Sequence, residues 1–249
     1  MLYISIAFIS ALIGFVIGIC GVSGFLLPLF LMNYCGYPPA YSLFISYCVF
    51  LIGGAIGVRN YYARGEVPMN IALPLGTASL AGAFCGAWVG RFYISSHIST
   101  VLYTMVLISG IMIFVQDLFI KKIDRQAPRI PVPVLAMVGF LTALICSMSG
   151  AGGPVIVMPL LVLMGFPIRY AIGIAMFDSL FISVPALLMY GNAVPIRETC
   201  LPLMIAALSQ SAGILAGSRM AGKIPQKPVK YGVALFSILF ALWKIYGKG

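Results

Sequence analysis

Apolar runs fill this chain from end to end, interrupted by short polar turns or by clusters of glycine. They lie at 2–20, 25–34, 40–58, 69–90 and 98–118, then at 132–148, 154–164, 168–190, 198–218 and 229–246. Most approach the roughly 20 residues that carry a helix across a bilayer. The runs at 25–34 and 154–164 hold only about 10 residues, which as helix reach ~15 Å, half a hydrocarbon core. They are predicted half-helices, each entered through a glycine break: Gly21-Val22-Ser23-Gly24 in the first case, Gly150-Ala151-Gly152-Gly153 in the second.

The second set of runs repeats the first. Pro28-Leu29 matches Pro159-Leu160, and Gly36-Tyr37-Pro38 matches Gly165-Phe166-Pro167. Tyr41, Ile45 and Tyr61 match Tyr170, Ile174 and Tyr190, and Val67-Pro68 matches Val194-Pro195. Leu73-Pro74-Leu75 matches Leu201-Pro202-Leu203, and Gly86-xxx-Gly90 matches Gly213-xxx-Gly217. At the breaks, Gly21 aligns with Gly152, and Val22 stands where the second half has Gly153. A duplication follows: residues 1–120 form the first repeat, 121–131 a polar, proline-containing linker, and 132–249 the second repeat of one membrane domain.

Composition narrows the class. Of 249 residues, 62% are hydrophobic and 8% charged, against about 25% charged in a soluble domain. The chain therefore reads as an all-α, multi-pass integral membrane protein with the bilayer as its solvent. The net charge of +10 does not indicate nucleic acid. The basic residues stand singly or in small groups at the ends of runs, where anchors and orientation signals belong. The first run follows Met1 with no Lys or Arg before it, so it is expected to be a retained span rather than a cleaved leader. The six cysteines show no CxxC spacing, and with the single histidine His97 they offer no metal pattern. Cys20, beside the first break, is the one to watch. No cofactor or metal is expected.

Lys and Arg also orient the chain. If each half were four plain spans, the 15 Lys and Arg would divide 9 against 6. If the chain reverses at each break, only Arg91, Arg197, Lys244 and Lys248 fall on one side, and the other 11 share the opposite side. The asymmetry favours reversal. Each half then crosses an odd number of times, the repeats are inverted, the linker is cytoplasmic and both termini lie outside. Whether the short helices cross or re-enter stays open, because both have the same parity.

Interrupted helices in matching places of two repeats point to a transporter's substrate site. A helix N-terminus offers positive partial charge and free N–H donors to an anion, and glycine lets it approach the main chain. The candidate binding residues are Gly21, Val22, Ser23, Gly24, Gly150, Ala151, Gly152 and Gly153, with Ser179 and Arg169. Arg169 opens the run at 168–190, where it attracts anions at the cytoplasmic mouth or only anchors the helix. The spacing of Gly86 and Gly90, and of Gly213 and Gly217, reads instead as close helix crossing. Asp178 lies mid-run and its repeat partner is Val49. A carboxyl at that depth is expensive and marks a function. It is either a protonatable coupling site or a hydroxyl-bonded structural group. Enzyme chemistry is poorly served, with no acid pair, no HExxH and no phosphate loop.

The order of glycine break, Pro-Leu, Gly-Tyr-Pro or Gly-Phe-Pro and small-residue helix, in both halves, resembles the TauE/SafE family of sulfite exporters. The resemblance covers essentially the whole chain and is stronger in the second half. It implies a cell-membrane permease for small sulfur-containing or organic anions, such as sulfite, thiosulfate, sulfonates or sulfoacetate, working in export. The residues themselves imply a small anion as partner. A proton-coupled carrier fits an inverted repeat with one titratable acid; a passive anion channel is the alternative.

Overall fold

A computed structural model describes residues 2–21, 23–92, 130–150, 152–192, 194–220 and 226–246, with isolated positions between 100 and 128. The described residues form helices α1 (Leu2–Cys20), α2 (Leu26–Asn33), α3 (Pro39–Tyr62), α4 (Met69–Phe92), α5 (Val132–Ser149), α6 (Gly153–Leu163), α7 (Ile168–Gly191), α8 (Ile196–Met220) and α9 (Gln226–Tyr246). The run at 98–118 and the linker lie largely outside the described residues. Six of the helices, α1, α3, α4, α5, α7 and α8, are long and apolar enough to cross a membrane. Their outer faces expose Phe8, Leu188 and Leu208, a surface suited to lipid rather than water.

The two short helices form where the sequence predicts them, with 8 residues in α2 and 11 in α6. Their ends explain the repeated Gly-x-Pro. Gly36 and Gly165 take positive φ after the half-helix, the conformation in which helices commonly terminate. Two residues later Pro38 and Pro167 cap the next long helix with extended backbone, ψ 149° and 142°. A half-helix is thereby stopped and a full span started within a few residues.

Packing interlaces the halves. The first helix of each half lies on the fourth of the other, α1 on α8 and α5 on α4. The third helices α3 and α7 touch each other, and each also meets the opposite fourth helix. The half-helices lean on the third helix of their own half, α2 on α3 and α6 on α7. The α1–α8 and α4–α5 crossings are made by glycine. A Cβ on Gly217 would strike the Phe15 carbonyl oxygen, and one on Gly86 the Leu144 carbonyl oxygen. Only a residue without a side chain brings these backbones so close.

Candidate functional site

Each break begins by ending a helix. Gly21 and Gly150 both have φ of 71°. The Gly21 N–H donates to the Ile17 carbonyl at 2.8 Å, and the Gly150 N–H to the Cys146 carbonyl. The structure thus sets Gly21 against Gly150 rather than Gly152, and Ser23 against Gly152. Cap geometry decides this register, because each helix must end on the residue that can turn left-handed. Ser23 holds φ 149° without being glycine, and its hydroxyl donates to the Ile13 carbonyl at 3.3 Å. Val22 and Ala151 lie outside the described residues, as does the side chain of Cys20.

Ending a helix inside a membrane leaves carbonyls unpaired. Matched tyrosines supply the donors. Tyr61 of α3 donates to the Gly18 carbonyl at 3.1 Å, and Tyr190 of α7 donates to the Ser147 carbonyl at 3.2 Å. The second break has an extra donor, Tyr47, whose hydroxyl lies 2.9 Å from both the Cys146 and Ser147 carbonyl oxygens. The Tyr47 ring lies parallel to that of Tyr190, centroids 6.1 Å apart. The break in the second half is therefore held by a rigid buried aromatic pair.

A cavity of about 20 Å³ lies where the two breaks meet, room for one water-sized molecule. Gly24 reaches it from the first break, and Gly152 and Pro154 from the second. Phe50 and Gly54 of α3, Met176 and Ser179 of α7, and Gln210 and Ile214 of α8 complete its wall with Ile17 and Gly53. Among the described residues no charged side chain lines it. A larger cavity of about 440 Å³, between α1, α2 and α9, is walled mainly by aliphatic and aromatic side chains and touches neither glycine break.

Of the residues singled out from sequence, Gly24, Gly152 and Ser179 meet at this cavity. Gly153 stands behind it, wedged onto α7: a Cβ there would sit 2.8 Å from the Ala175 carbonyl oxygen and 3.0 Å from the Ser179 nitrogen. That Cβ would also lie 3.3 Å from Asp178 Oδ2, so the carboxyl rests against the first residue of α6. Asp178 is fully buried and neither oxygen has a hydrogen-bond partner. The Ser79 hydroxyl lies within interaction range of the carboxyl but donates to the Leu75 carbonyl at 3.0 Å.

Arg169 is not brought to the cavity. Its Nη1 donates to Glu66 Oε1 at 3.3 Å, with the Arg169 side chain 54% exposed and that of Glu66 11%. Gly21 and Gly150 are also buried beside other groups, Ile172 and Leu43 respectively.

Sequence reasoning missed Gln210. It is fully buried, lines the cavity, and leaves both Nε2 and Oε1 without a partner. The signal available was a carboxamide in the middle of an apolar run.

A family model described as sulfite exporter TauE/SafE matches residues 6–243. The chain belongs to the TauE/SafE family. It is 24% identical over 251 residues to a probable membrane transporter protein of Methanocaldococcus jannaschii, covering 96% of this chain and 91% of that one. It is 25% identical over 255 residues to a probable membrane transporter protein of Haemophilus influenzae, covering 94% of each. No solved structure matches it significantly. With six apolar spans, this TauE/SafE protein is a multi-pass membrane protein of a transporter family.

Proposed function

We propose that this TauE/SafE protein is a carrier for a small sulfur-containing or organic anion, most simply an exporter in the cell membrane, with proton movement coupled through Asp178. The observation that carries this reading is the cavity at which Gly24 meets Gly152 and Pro154. Backbone from both halves reaches one point, and at the start of α6, the 11-residue half-helix, the Gly152 and Gly153 N–H groups can serve an anion, whereas Pro154 has no N–H and the Val155 N–H donates to the Gly152 carbonyl at 3.4 Å. The exchange-symmetric packing of α1 on α8 and α5 on α4 fits two equivalent halves, and halves inverted as the Lys and Arg distribution expects could rock about this point, the usual geometry of alternating access. The cavity is smaller than any oxyanion, which suits a closed stage of such a cycle. Met176, a flexible side chain, and Phe50 form the wall that gives way on opening.

The test is flux of sulfite, thiosulfate and methanesulfonate into proteoliposomes, with and without an imposed pH gradient. For at least one of these anions a saturable flux that the gradient drives uphill is expected. Unsaturable flux at channel rates would make the protein a passive pore. Absence of flux for every small anion would overturn the reading.

A further inference from the structure

The cavity recognises its occupant with an unusual set of groups. A side chain as polar as glutamine is seldom buried without hydrogen bonds, because each unmet donor or acceptor is destabilising. Gln210 is 0% exposed, and both ends of its carboxamide lack partners. The neighbouring cavity hydroxyl, Ser179, already donates to the Met176 carbonyl at 2.7 Å, so its oxygen is left as an acceptor for Gln210 or for the occupant. Hydrogen-bond donors for an anion are therefore few. They are the Gln210 amide and the Gly152 and Gly153 N–H groups, because Pro154 has no N–H and the Val155 N–H donates to the Gly152 carbonyl at 3.4 Å.

Charge is the second half of the argument. Among the described residues no Lys, Arg or His lines the cavity. Asp178 lies just behind Gly153, and when ionised it would oppose an anion. In a medium of low dielectric each further negative charge on the occupant adds repulsion and desolvation with no cation to offset either. Neutral dipoles can hold one negative charge here; two would be held far less well.

We propose that Gln210 is the anion-binding residue of this cavity, donating through Nε2 to an oxygen of a small, singly charged oxyanion, and that the cavity rejects dianions of the same shape. The inference rests on the carrier reading above. It adds the residue that grips the substrate and the charge class that is accepted.

The experiment uses the purified full chain with two tetrahedral probes of similar size, methanesulfonate with one charge and sulfate with two. Binding is measured by calorimetry at fixed pH, and flux in proteoliposomes. The parent is expected to bind methanesulfonate at least tenfold more tightly than sulfate. Gln210→Met removes both unpartnered polar atoms at nearly constant volume. Its thermal unfolding temperature should equal or exceed the parent's, while methanesulfonate affinity falls at least tenfold. Gln210→Asn keeps the amide but withdraws it by one carbon, and should lose at least threefold even if the Met variant does not fold. Parental affinity in either folded variant overturns the role of Gln210. Equal affinity for sulfate and methanesulfonate overturns the charge rule. If parent flux is intact while these outcomes occur, the carrier reading survives without the inference. If the parent neither binds nor moves any anion, both fall together.

Discussion

Asp178 is the residue on which coupling would turn. It is buried against Gly153 with no hydrogen-bond partner for either oxygen, and its repeat position holds Val49. An ionised carboxylate beside an occupied cavity would place two negative charges in low dielectric, so protonation is expected to accompany anion entry. Asp178→Asn keeps size and hydrogen bonding but fixes the group as neutral. Anion binding should survive in this variant, while flux no longer responds to an imposed pH gradient. A parental pH response in proteoliposomes, at equal protein level, would leave Asp178 with a structural role through Ser79. Arg169 gives the opposite expectation. Its side chain is about half exposed and paired with the buried Glu66 across 103 positions of sequence, away from the cavity lining. Arg169→Gln should therefore leave KM for the anion within about twofold, and a tenfold rise would return Arg169 to the substrate path.

Among elements, glycines do two different jobs that the sequence only partly separates. Gly86 and Gly217 close helix crossings, and Gly86→Leu or Gly217→Leu must push apart backbones already in contact. Overpacking of this kind costs typically 1–3 kcal/mol, and more where nothing can yield. A lowered unfolding temperature and poor recovery from the membrane are expected for both. Gly153 looks from sequence like a substrate glycine, yet its missing Cβ makes room for the α7 backbone. Gly153→Leu should therefore also unfold the protein, and a stable, inactive Gly153→Leu would show that α7 can retreat. The half-helices and their Gly-x-Pro exits were legible, because length and cap chemistry are local properties of the chain. The register of the first break was not, since identity matching favours Gly152 for Gly21 whereas the helix-ending bonds, Gly21 to Ile17 and Gly150 to Cys146, select Gly150. Gln210 was not legible either. A carboxamide in an apolar run announces a cost, but which helices surround it is decided by the packing of α8 against α1 and α3.

For the whole molecule the open quantity is the parity of each half. Interlaced packing, with α1 on α8 and α5 on α4, treats the halves as equivalents but is indifferent to which way each faces. Lys and Arg supply the missing direction. Reversal at the breaks collects 11 of the 15 on one side, whereas plain spans leave 9 against 6. The two arrangements differ in one measurable respect. With reversal, the linker and the C-terminal end lie on opposite sides of the membrane; without it they share a side. Gln126 and Lys248 report these places, and both lie outside the described residues. In a background with the six native cysteines replaced, Lys248→Cys should react with an impermeant maleimide on intact cells, and Gln126→Cys only after permeabilisation. The reverse pattern would keep the inversion and flip the molecule. Labelling of both from the same side would mean an even number of crossings per half. The half-helices would then be mere interruptions of a span, and the cavity between Gly24 and Gly152 could not be the pivot of two inverted repeats.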